Sequence, residues 1–188
     1  MAGTLRRFVV LIAVLTAGCA HGPRFAQISA QLPPPDGHAR LFVYRTFDLG
    51  QSLEWVPVSV NGTSIGGVGP GHVLVCYLPP GTYTIAAKSE GLWPNQTKTV
   101  AVTAGQEIYA KVGSFRQIGP TDDTGGGFLS TFVIMLEDTA AGRRDVAQLW
   151  YGPCDAPFAV PGAVKSSLRR LGAPSINASA IIRSDRGG

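Results

Sequence analysis

The chain has 188 residues, of which 45% are hydrophobic and 15% charged, with 24 glycines, 14 prolines and three cysteines. That length fits one domain with extensions, and the composition excludes a coiled coil, a multi-spanning membrane protein, a multidomain enzyme and a disulfide-framework scaffold. The formal net charge of +4 lies at the two ends: residues 39–154 hold eight Lys and Arg against nine Asp and Glu, so no positive stripe marks the central region and no nucleic-acid partner is expected.

Met1–Arg7 is a short basic stretch, and Phe8–Thr16 (FVVLIAVLT) is a nine-residue apolar run. At 1.5 Å per residue such a run covers about half of a ~30 Å hydrocarbon core, too little for a stable span. Followed by Ala17 and Gly18, it fits an export signal over residues 1–18. Leu15-Thr16-Ala17-Gly18-Cys19 resembles the lipobox of bacterial lipoproteins, with Thr16 at the place where leucine is usual. The resemblance implies a diacylglycerol on the Cys19 thiol, cleavage before it and acylation of the new amino terminus. Ala20, a residue other than aspartate, implies sorting to the outer membrane. The alternative is an ordinary secretory signal with Cys19 as a bystander.

Residues 19–38 show no periodic apolar pattern and contain Pro33-Pro34-Pro35, which favours polyproline II. They read as a stalk. From residue 39 the apolar period becomes two. Arg40–Thr46 is apolar on both faces, as an interior strand is. Glu54–Val60 follows; Pro57 lacks a ladder donor, which places that strand at an edge or a bulge. Asn61-Gly62 is a hairpin turn, with Thr63–Ile65 pairing back. Gly66–Gly71 is a loop and His72–Leu78 the next strand. Pro79-Pro80-Gly81 suits a type II turn. Thr82–Lys88, Lys98–Thr103, Glu107–Val112 and Thr131–Glu137 complete the strands. Asp138–Trp150 has helical character, with Asp138 or Thr139 as cap, although Gly142 counts against it. Residues 155–188 read as a mostly disordered basic tail with one helical turn at Ala163–Leu171; its charges are a weak polyanion or headgroup signal. The expected fold is all-β: a small antiparallel sandwich of seven or eight strands over residues 39–154 with a short C-terminal helix.

The order Ala39–Arg45, Val58-Ser59-Val60-Asn61-Gly62, Leu78-Pro79-Pro80-Gly81-Thr82-Tyr83 and Ala104–Tyr109 resembles β-sandwich domains of unknown function in bacterial lipoproteins, loosely similar to PEGA and carboxypeptidase regulatory-like domains. The resemblance covers residues 39–150. It implies an envelope location and carries no catalytic residues.

Chemistry-bearing residues are few. His72, at a strand start, is a base for Asp48 or Glu54 to orient, yet no spacing supports a triad, and an exposed strand-end histidine explains it. Asp122 and Asp123 before Gly125-Gly126-Gly127 fall short of a calcium ligand set, so no metal and no cofactor are expected. Gly67–Gly71 lies between strands, unlike a phosphate loop. Cys76 and Cys154 can form a disulfide in an oxidising compartment; Cys76 shares parity with Leu74 and Leu78, which equally suits a buried free thiol. Trp55 and Trp93 are candidate ligand-binding rings, with Trp150-Tyr151 beside them; core packing competes for Trp55 and Trp150, and a loop anchor for Trp93. The reading is a lipid-anchored, non-catalytic binding or structural module, tied to the membrane through Cys19, with envelope proteins or peptidoglycan as partners. A glycan-binding module and a hydrolase are the rivals.

Overall fold

The computed structural model describes residues 22–48, 53–89, 96–118, 128–155 and 157–159. It is a two-sheet sandwich, with helical segments laid on the outer face of one sheet. The nine strands among the described residues are β1 (Ala39–Arg45), β2 (Val56–Val60), β3 (Thr63–Val68), β4 (His72–Leu78), β5 (Gly81–Ala87), β6 (Thr97–Val102), β7 (Glu107–Ile118), β8 (Phe128–Glu137) and β9 (Trp150–Pro153). The helices are α1 (Phe25–Ile28), continued by a 3-10 turn (Ser29–Gln31), and α2 (Thr139–Ala147). One sheet has the order β8-β7-β1-β4-β9 and the other β3-β2-β5-β6. Most pairs are antiparallel, as expected, but β1–β7 and β4–β9 run parallel.

Period-two alternation explains the layers. On β1, Leu41 and Val43 face the second sheet, while Phe42 and Tyr44 face away. On β4, Leu74, Cys76 and Leu78 face in, while Val73, Val75 and Tyr77 face out. A sheet apolar on both faces must be covered on both. The inner face meets Val56, Val58, Val60, Ile65 and Ile85 of the four-stranded sheet. The outer face is covered by Phe25, Ile28 and Leu32 from the N-terminal segment and by Val146 and Leu149 at the end of α2. Phe42 stacks on Tyr109 with centroids 4.6 Å apart and meets Phe25 edge-on at 5.3 Å.

This arrangement corrects the stalk reading of residues 19–38: from Arg24 to Leu32 the chain is part of the domain. Phe25 and Ile28 are buried and Leu32 is fully so. Backbone bonds fasten the segment to β9, from Phe25 N–H to Leu149 O (2.8 Å) and from Tyr151 N–H to Pro23 O (2.9 Å). The domain also runs past residue 154. Phe158 packs against the inner core and Tyr83, and its carbonyl accepts from Tyr77 N–H at 3.1 Å. The helical turn expected at Ala163–Leu171 and the rest of the tail lie outside the described residues.

Other differences are local. β2 lies between β3 and β5, so Pro57 is not on an edge strand. The register instead shifts after Val58, which leaves Ile65 of β3 without an opposite residue. Asn61 and Gly62 both have positive φ, as the hairpin turn requires. Gly81 does not; it starts β5, so Pro80-Gly81 does not form the expected type II turn. β3, β7 and β8 extend beyond their expected bounds, and β9 was not expected at all.

α2 starts where expected. The Asp138 carboxylate accepts from the backbone N–H of Ala140 and Ala141, both at 2.9 Å. Gly142, which counted against the helix, is what lets it dock: a Cβ there would lie 2.2 Å from Tyr109 Cγ. Gly142→Ala is therefore expected to destabilise the fold by about 1–3 kcal/mol, because overpacking outweighs the ~1 kcal/mol gain in helix propensity. A lower urea midpoint with an unchanged slope would show it; a raised midpoint would mean that α2 slides freely on the sheet.

Candidate functional site

The sheet ends converge on a cleft of about 540 Å³, within the range of small-molecule sites. Its walls come from four places: Thr46 and Phe47 after β1, Pro70–His72 at the start of β4, Asp145–Trp150 from α2 into β9, and Arg24 before α1. The backbone fixes the geometry. Gly71 N–H donates to Arg45 O (2.9 Å), and Trp150 N–H donates to Gly71 O (2.8 Å). Gly71 has φ +75°, which favours glycine, and a Cβ there would touch both Phe47 and Trp150 at 3.9 Å.

Arg24 and Trp150 form one wall. The guanidinium carbon lies 4.4 Å from the centroid of the indole, a cation–π contact, and Nη1 donates to Gln148 O. His72, the register partner of Trp150, lies next to it in the lining. Its Nδ1 lies 2.9 Å from Pro70 O, an acceptor only, so that nitrogen carries a proton. The Trp55 ring sits 4.7 Å from the His72 ring, over Gly69, where a Cβ would fall 2.8 Å from Trp55 Cε2. Glycine is therefore required for the indole to lie flat on the loop. Trp55 stays 54% exposed and is not a core residue. Its position is set from below. Arg45 is wholly buried, donates from Nη1 to Glu54 O (2.7 Å) and from Nη2 to Ser114 Oγ (3.3 Å), and lies over the Phe132 ring. Burial lowers the Arg45 pKa, and the charge of Glu54 opposes that shift.

Asp145 forms the floor. It accepts from Tyr44 Oη (3.1 Å) and Lys111 Nζ (3.0 Å). Burial, followed by the charge and hydrogen bond of Asp145, pushes the Tyr44 hydroxyl far above its ordinary range, so it is a fixed donor. Asp145 is thus paired with a cation and a phenol rather than aimed at His72 as an orienter. The lining offers ring faces, an imidazole, one guanidinium, one paired carboxylate and an amide.

Of the expected site residues, Trp55 and His72 come together here, with Trp150, the register partner of His72, beside them in the lining. Trp93, Cys19, Asp122 and Asp123 lie outside the described residues. Cys76 and Cys154 are joined as a disulfide with Cα atoms 5.2 Å apart, buried in the inner core away from the cleft. Among the described residues, no group of three His, Cys, Asp or Glu side chains could hold a metal ion. Arg24, Phe47, Asp145 and Gln148 were not singled out from the sequence. The one available signal was a cation and large rings in segments flanking strands. No protein-family model matches the chain, and no curated protein or solved structure matches it either.

Proposed function

We propose that the chain is a lipid-anchored module of the cell envelope that acts without catalysis, by binding or structural support, through the aromatic-walled cleft at the β1–β4–β9 end. The observation that carries the binding part is a pair of preformed ring contacts: Trp150 under Arg24 in the cleft lining, and Trp55 against the lining residue His72. Rings held by backbone contacts cost little entropy on binding, and loops on a rigid scaffold are where recognition concentrates. The anchoring part rests on the lipobox at Leu15–Cys19. Two or three acyl chains would hold the module stably at a leaflet, whereas one would not.

Cross-linking in living bacteria followed by mass spectrometry, with the native chain beside Cys19→Ala, tests the reading. A specific envelope protein captured by the native chain and lost from the variant is the expected result. Equal capture by both forms would remove the role of the anchor.

The exposed Trp55 face favours a second reading, a glycan-binding module, because indole faces suit sugar rings. Peptidoglycan fragments would then quench tryptophan emission in the native protein, and Trp55→Ala would lose most of that change. The absence of quenching would end this reading.

A further inference from the structure

The cleft holds a cation that no carboxylate of the described residues balances. Arg40, Lys111 and Arg143 are each paired with a carboxylate, and Arg24 is not. Asp145, the carboxylate of the lining, is offset by Lys111 at 3.0 Å. Asp48 and Glu54, next to Phe47 and Trp55 in sequence, are outside the lining, and the charge of Glu54 acts on the buried Arg45. The Arg24 guanidinium is therefore the surplus charge of the cleft. It is also held in place. It lies over the Trp150 indole, and Nη1 donates to Gln148 O. Nε and Nη2 bond nothing among the described residues, and together they are the side-on fork that takes a carboxylate in two parallel hydrogen bonds.

The remaining lining selects what carries the acid. Phe47 is 61% exposed, and the missing Cβ of Gly71 keeps open the space between Phe47 and Trp150. Among the described residues, no strand edge opens here for a peptide backbone. β1 lies between β7 and β4, and β4 between β1 and β9. The outer edge of β9 at its start is taken by the N-terminal segment, through Phe25 N–H to Leu149 O and Tyr151 N–H to Pro23 O. Strand addition, the main-chain mode of peptide capture, is thus closed, and recognition falls to side chains and ring faces. A ring face beside the polar side chains of Thr46 and Gln148 suits a sugar, whose C–H face packs on an aromatic ring while its hydroxyls find partners.

We propose that the cleft takes a sugar ring bearing one carboxylate, with the acid on the Nε–Nη2 edge of Arg24 and the ring face against Phe47. A phosphate fits less well, because its second negative charge would meet Asp145 in a lining whose described residues include no lysine and no second arginine. The proposal rests on the reading of the cleft as a binding site and names the class of its ligand.

The test titrates the full chain, purified from bacteria in detergent, and follows the indole N–H resonances of Trp55 and Trp150. Three probes are compared. N-acetylmuramic acid carries both features, N-acetylglucosamine lacks the lactyl group that bears the carboxylate, and N-acetyl-D-alanyl-D-alanine has a carboxylate without a sugar ring. N-acetylmuramic acid is expected to bind roughly tenfold or more tightly than either of the others, the worth of a charge-assisted pair. Arg24→Gln, checked for an unchanged urea midpoint, is expected to bring it down to the level of N-acetylglucosamine, and Phe47→Ala to weaken both sugars. The comparison of probes on the native chain stands by itself if a variant fails to fold. Equal affinity for the two sugars overturns the acid and leaves the cleft a neutral-sugar site. Tighter binding of the peptide overturns the sugar ring and leaves a carboxylate site. Undiminished binding of N-acetylmuramic acid by folded Arg24→Gln overturns the pairing. No shift with any probe overturns the proposal as a whole, and leaves the binding reading to the envelope protein captured by cross-linking.

Discussion

Replacing Cys76 and Cys154 together by alanine is expected to lower the free energy of unfolding by about 4.5 kcal/mol, the chain-entropy value for a closed loop of this length. The bridge joins residues 78 apart in sequence. The enclosed loop contains β5 to β9 and α2, and so three of the five strands of one sheet and two of the four of the other. Small domains are stable by about 5–15 kcal/mol, so the bridge carries a large part of the total. It also holds the last described turn in place. Cys154 N–H donates to Val75 O (3.3 Å), Asp155 N–H to Ile65 O (3.1 Å), and Phe158 lies over Tyr83. Those contacts join β3, β4 and β5, strands drawn from both sheets, through one short segment. Urea unfolding of the native and double-alanine proteins would measure the loss. A difference under 1 kcal/mol would show that the hydrogen bonds and Phe158 hold the segment without the sulfurs. Both cysteines are buried, at 0% and 3% exposure, so the bridge is structural and shielded from thiol exchange. A bridge of this kind persists in oxidising compartments, which supports the exported reading of residues 1–18.

The strands were legible because their apolar period is short and strict. Leu74, Cys76 and Leu78 share one buried face, and so do Ile108, Ala110 and Val112, as their parity predicts. The outer face is where sequence reasoning lost information. Phe42, Tyr44, Val73, Val75, Tyr77 and Tyr109 form a second apolar face, and such a face needs a cover. The cover was written at Phe25, Ile28 and Leu32, a spacing of three and then four, which is one stripe of a helix. Flanking prolines and the shortness of α1 hid it, since four residues form no helix alone and only the sheet stabilises them. Asp138–Trp150 was legible as a helix through its cap, but β9 was not. Two of its four residues, Gly152 and Pro153, weaken any strand pattern, and a parallel pairing with β4 has no local signal. The cleft followed from the same gap. Without the N-terminal segment in place, Arg24 had no Trp150 to stack on, and Trp55 could be weighed only between core and surface.

The second large effect is expected at Glu107, where three cationic or phenolic groups converge on one carboxylate. Arg40 bonds Oε1, Tyr109 Oη donates to Oε2 (2.8 Å), and Arg143 of α2 donates to Oε2 from Nε (2.8 Å). Arg40 also donates to Leu32 O (2.8 Å), which accepts from Tyr77 Oη as well (3.2 Å). The carboxylate therefore fastens the N-terminal cover and α2 to β1 and β7 at once. Glu107→Ala leaves the half-buried Arg40 without its counter-charge and is expected to cost about 2–4 kcal/mol, below the full range for a wholly buried pair because solvent reaches both side chains. Burial alone would raise the Glu107 pKa, but the hydrogen bonds from Arg40, Tyr109 and Arg143 outweigh it and hold the group below its ordinary value. The sign follows. With the folded value depressed, the unfolded chain binds the extra proton, so this stabilisation is fully present above the unfolded pKa near 4.3 and is lost as pH falls through the lower folded value. The same contacts push the Tyr109 hydroxyl up to about 12, burial first and Glu107 second, so it stays a donor throughout that range. Stability measured by urea between pH 6 and pH 2 should fall less steeply in Glu107→Gln than in the native protein. Parallel curves would place the acid sensitivity in other carboxylates and reduce Glu107 to a packing residue. The gap between the curves should also shrink as pH falls through the folded value, because Glu107→Gln is a near-isostere of the protonated carboxyl.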